Sequence, residues 1–168
     1  AKASSPWGIA AGGAIVLAVM LGGFYHRART QLDKEGERVR AIEARRNAVL
    51  ESLQKAGAAC DTAELALGGG RRGAALAAAS SAQALAREAG TKAAALGSDS
   101  PPNAIPQAAA LETRAETVRA RALGGGDPSE RDKARRLYRQ LVSTNERNID
   151  LMLELGRLEL EVGALSAA

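Results

Sequence analysis

The sequence predicts an all-α protein: a single N-terminal transmembrane helix followed by an antiparallel bundle of about four helices. Three observations carry this. The apolar residues are mainly alanine and leucine, which favour helix, and few are the β-branched and aromatic types that fill sheets. One stretch near the start is free of charge over the thickness of a bilayer. The remainder is divided by glycine and proline runs into segments whose apolar residues recur at 3-4 spacing. At 168 residues the chain has room for one ordinary domain with an appendage and not for two large ones.

From Pro6 to Tyr25 there is no Asp, Glu, Lys or Arg. About 20 residues at ~1.5 Å each give ~30 Å, the depth of a bilayer hydrocarbon core. Trp7 lies at one end, Phe24 and Tyr25 at the other, where aromatic belts form, and Arg27 and Arg29 follow as anchors at the interface. A cleaved signal peptide is the competing reading of such a stretch. A chain beginning at Ala1, as after removal of an initiator methionine, favours a retained span. Arg27, Arg29, Lys34, Arg38 and Arg40 follow the span while only Lys2 precedes it, so the bundle is expected on the cytoplasmic side of the inner membrane. Within the span Ala10, Ala14, Ala18 and Gly22 repeat every four residues, beside a GxxxG of Gly8 and Gly12. Such a stripe lets a second helix approach closely, and these six residues are the expected packing interface.

The division of the chain is then residues 1–26 for the tail and membrane helix and 27–168 for the extramembrane bundle. Breaks at Gly68-Gly69-Gly70, at Gly97 to Pro102 and at Gly124-Gly125-Gly126 separate a stalk helix of about 27–67 from helices of about 71–97, 103–123 and 128–165. The stalk carries the seam Val39, Ile42, Arg46, Val49, Leu53, Ala56, Cys60, Ala63, Leu67, and Gly36 is its one early weak point. The second segment is so rich in alanine that no face stands out. The third runs Ala108, Leu111, Ala115, Val118, Ala122. The last runs Leu137, Leu141, Thr144, Asn148, Leu151, Leu155, Leu158, Val162, Leu165, and opens on Asp127-Pro128-Ser129-Glu130, an N-cap acid, a first-turn proline and a third-position acid. Short loops favour antiparallel neighbours. Alanine faces bury little area at ~25 cal/mol per Å², so the bundle is expected to be modestly stable alone.

Residues that carry chemistry are few. One cysteine excludes an intramolecular disulfide, and one histidine excludes most zinc sites and any histidine pair. His26, just past the span, reads as an interfacial polar residue rather than a pigment ligand. Cys60 falls on the apolar seam, where cysteine serves as a small hydrophobe. Gly68-Gly69-Gly70-Arg71-Arg72-Gly73 lacks the preceding strand and the Gly-Lys-Ser/Thr ending of a phosphate loop, and reads as an inter-helix connection. Glu112 with Glu116, and Glu154 with Glu161, share faces, but no histidine follows at diiron spacing, so they read as solvated. Net charge is +4, yet basic and acidic residues alternate and no aromatics are interleaved, which argues against nucleic acid and for anionic headgroups near the membrane. No catalytic residue, metal, cofactor or small-molecule substrate is expected.

Two stretches carry a family resemblance. Arg45-Arg46-Asn47-Ala48-Val49-Leu50-Glu51-Ser52-Leu53 is similar to the Arg-Arg-x-Asp-Leu-Ile-Pro-Asn-Leu run of LemA-like proteins, and Ala134-Arg135-Arg136-Leu137-Tyr138-Arg139-Gln140-Leu141-Val142 resembles their Ala-Arg-Arg-Phe-Tyr-Asn-x-x-Val. Ala48, Glu51 and Arg139 depart from the pattern. The resemblance implies a membrane-anchored antiparallel helical bundle and brings no catalytic residues with it.

These readings converge on a non-catalytic accessory or structural subunit of a larger membrane complex. Its partners would be integral membrane protein subunits and lipids. Bioenergetic assemblies, photosynthetic reaction-centre and antenna complexes among them, are natural hosts. A LemA-like tethered adaptor binding its partners transiently is the alternative.

Overall fold

A computed structural model describes residues 6–145 and 148–166; at 6–19, 21, 22, 162 and 164–166 it describes the backbone alone. The described residues are helical, with no strand: α1 Pro6–Gly68, α2 Arg72–Leu96, α3 Ala104–Gly124, α4 Pro128–Thr144 and α5 Ile149–Ser166, with a 3-10 turn at Gly97–Asp99. The chain divides into two compact units, Ala1–Ala44 and Arg45–Ala168.

In the first unit the described side chains are exposed, apart from half-buried Gly36 and Ile42. Helix α1 runs through Gly36 without a break. Among the described residues no helix is long and apolar enough to cross a membrane. The expected span at Pro6–Tyr25 lies outside the described side chains except at Met20, Gly23, Phe24 and Tyr25.

The second unit is a bundle whose interior is made mostly of methyl groups. Residues 45–68 of α1, with α2 and α3, stack in layers: Val49 and Leu53 with Ala89, Ala93, Ala104 and Ala108; Cys60 with Ala82 and Ala115; Ala63 with Ala79 and Val118; Ala66 with Ala75 and Ala122. Residue numbers rise along α1 and α3 through these layers and fall along α2, so consecutive helices are antiparallel. The face of α2 that the sequence leaves open is Ala75, Ala79, Ala82, Ala86, Ala89 and Ala93, a 4-3 repeat. A Cβ on Gly90 would sit 3.4 Å from that of Ala108, so α2 and α3 run close together.

Each connection has a local cause. Gly70, at φ 72°, ends α1: the Gly70 N–H donates to Leu67 and the Arg71 N–H to Ala66 at 2.8 Å, a Schellman closure that glycine adopts without strain. Asp127 caps α4 as expected, its side chain accepting from the Glu130 N–H at 2.8 Å while Glu130 accepts from the Asp127 N–H at 3.2 Å.

The single last helix expected over 128–165 is instead two. Asn145 leaves helical geometry, and its backbone N–H and side-chain amide both donate to the Leu141 carbonyl. The Asn148 side chain then accepts from the Leu151 N–H at 3.3 Å, which starts α5. Helix α5 doubles back along α4, so the described residues form five helices where about four follow from the sequence. Ala134, Tyr138 and Leu141 of α4 and Leu151 and Leu158 of α5 pack on Ala120 and Leu123 of α3.

Candidate interaction surfaces

The expected helix-packing residues Gly8, Ala10, Gly12, Ala14, Ala18 and Gly22, with Trp7, lie outside the described side chains. Of the expected membrane-interface anchors, Phe24, Tyr25, Arg27 and Arg29 are described, and all four are exposed. The seam that α1 buries at Val49, Leu53, Ala56, Cys60 and Ala63 keeps its 3-4 register in the sequence back through Arg46, Ile42, Val39, Glu35, Leu32, Ala28 and Tyr25, where charged Arg46 and Glu35 interrupt it. Among the described residues Leu32 is 68% exposed, Val39 and Tyr25 are exposed as well, and Ile42 is half-buried.

Several groups with chemical potential in the second unit are engaged within it. The Cys60 thiol is buried, 3.7 Å from the Leu111 carbonyl, and desolvation pushes its pKa up against the opposing charge of Arg114, the reverse of an activated nucleophile. Arg72 donates to the Gly125 carbonyl at 3.1 Å and pairs with the Glu130 carboxylate, so it ties the two glycine-rich loops together. Glu112 and Glu116, read from the sequence as solvated, join α3 to α2: Arg87 pairs with both, and Gln83 donates to Glu116 at 2.6 Å. Desolvation, with the Glu112 charge beside it, pushes the Glu116 carboxyl up. Arg114 reaches Asp61 and Glu64 on α1, and its hydrogen bond holds Glu64 below the usual carboxylate range. These are interhelical ties. Among the described residues no group of three or more His, Cys, Asp or Glu is placed to hold a metal ion.

One cleft, about 220 Å³, opens between α3, α4 and α5, lined by Arg121, Gly124, Gly125, Tyr138, Glu154, Arg157, Leu158 and Glu161. Its guanidiniums face carboxylates already, Arg121 with Glu154 at 3.5 Å and Arg157 with Glu161 at 3.2 Å. Tyr138 lies at its floor, 2% exposed, its hydroxyl enclosed without a well-formed hydrogen bond among the described residues. Burial, reinforced by the charge of Glu154 and opposed by Arg121, pushes the phenol up to about 12.

Helix α5 presents a surface that sequence reasoning passed over. Leu151 and Leu158 are buried, with Leu155 packed beside them, as expected. A second apolar line, Ile149, Leu153, Gly156, Leu160, faces outward at 4-3-4 spacing, with Met152 beside it. Leu153 is 67% and Leu160 77% exposed. The signal was present as a second seam offset by two residues from the first. Following only the longer seam hid it. No family model, curated protein or solved structure matches the chain.

Proposed function

We propose that this chain is a non-catalytic accessory subunit of a larger membrane protein complex. Its first unit docks on integral subunits, and its helical bundle braces the assembly from the cytoplasmic side. The observation that carries the reading is the exposed apolar line of α1 at Tyr25, Leu32 and Val39, in sequence register with the part of the same helix that the bundle buries. Exposed apolar residues recurring every seven positions, as Tyr25, Leu32 and Val39 do, suit further helical neighbours. The uncharged stretch Pro6–Tyr25, with its small-residue stripe at Ala10, Ala14, Ala18 and Gly22, supplies a membrane span and a close-packing face to the same reading.

The experiment is gentle solubilisation of the tagged protein, followed by mass spectrometry and an absorption spectrum. Recovery in fixed ratio with large membrane subunits, with or without their pigments, supports the subunit role. Recovery alone, or at low ratio with many partners, replaces it with a LemA-like tethered adaptor. The double substitution Ala14→Leu, Ala18→Leu overfills the stripe. It is expected to release the protein from its complex while leaving it in the membrane fraction, and unchanged association would remove the stripe from the docking surface.

A further inference from the structure

We propose that the outward face of α5 pairs with the same face of a second copy, the two helices running antiparallel about a two-fold axis. This association is independent of the membrane role above, since it rests on the second unit alone. A helix that is apolar on opposite faces belongs in the interior of an assembly, and the described residues of this chain cover only one of the faces.

The spacing of that face matches itself when reversed. With the two helices antiparallel, Ile149 of one copy lies opposite Leu160 of the other and Leu153 opposite Gly156, and the axis repeats both pairs. Gly156 is the hole that this needs: a Cβ built there would meet nothing within 4 Å, so a leucine from outside can enter. The flanking charges fit the same alignment. Asp150 and Arg157 lie on one edge of the face, and reversing the second helix brings Asp150 of each copy beside Arg157 of the other. Within one chain Arg157 bonds only Glu161, while Asp150 has no cationic partner among the described residues.

Competing occupants fit less well. A parallel pair sets Gly156 against Gly156, and neither Asp150 nor Arg157 gains an opposite charge. An anionic membrane surface would meet Asp150, Glu159 and Glu161 at the borders of the face. An 18-residue helix is about 27 Å long and about 10 Å wide, so its footprint is about 300 Å², below the ~800 Å² per partner of stable complexes. The pair is therefore weak and grows with concentration.

The test uses the full chain in mild detergent, carrying Cys60→Ser and either Ile149→Cys or Leu160→Cys, both at exposed positions, with circular dichroism to verify folding. Under mild oxidation a mixture of the two variants is expected to give a disulfide-linked dimer. Each variant alone is expected to stay uncrosslinked, because equivalent residues lie ~16 Å apart along an antiparallel pair. Self-crosslinking of either variant alone would make the pairing parallel and overturn the proposal, as would no crosslinking in the mixture at any concentration. Arg157→Asp is expected to weaken dimerisation about three- to tenfold by sedimentation equilibrium, and adding Asp150→Arg to restore it. A double variant as weak as the single one would remove the ion pairs from the interface.

Discussion

Tyr138 places a hydroxyl among leucines and alanines, and the phenol responds by holding its proton up to about 12. Unfolded tyrosine ionises near 10. Between those values the native state keeps a proton that the unfolded state has lost. Stability is thus whole below pH 10 and falls as pH rises towards 12. In Tyr138→Phe that part of the alkaline loss is expected to vanish, and with no enclosed hydroxyl left the variant should unfold at the same temperature or slightly higher at pH 7. Thermal melts of both proteins from pH 7 to 11.5 check this, and an identical alkaline decline would place the ring in water. The sequence already set Tyr138 beside Ala134, Leu137 and Leu141 in one motif. Which of these point inward follows from helical spacing. That the hydroxyl ends without a good partner does not, because it depends on where Arg121 and Glu154 arrive from other helices.

Helix α2 buries six alanines at 4-3 spacing. Their seam is hidden in the sequence because alanine occupies so many neighbouring positions that the buried ones have no contrast, whereas α3 marks its face with Leu111 and Val118. The break between α4 and α5 was hidden for the opposite reason. The 3-4 pattern passes straight through Thr144 and Asn148, so periodicity alone continues the helix. Asn145 and Asn148, both able to bond backbone groups locally, were the signal that outranks it. In the layer of Cys60, Ala82 and Ala115, substitution Ala82→Leu adds three carbons where neighbouring helices leave no room. It is expected to cost ~1–3 kcal/mol in chemical denaturation, while Ala84→Leu, on the exposed side of the same helix, should change little. Equal effects at both positions would mean that the alanine layers are not close-packed.

The division between the two compact units falls inside α1, between Ala44 and Arg45. Every buried layer of the second unit is formed by residues from Val49 onward, and so is each of its interhelical ion pairs. A chain beginning at Arg45 is therefore expected to keep its helicity and one cooperative unfolding transition, measured by circular dichroism during heating. A broad, non-cooperative loss of signal would show that the first 44 residues are needed to hold the bundle.

The methyl-lined layers have a thermal consequence. Unfolding a domain raises its heat capacity in proportion to the apolar surface newly wetted, and alanine contributes little of it. A small heat-capacity increment flattens the curve of free energy against temperature. The bundle trades a high stability maximum for one that changes slowly between cold and warmth.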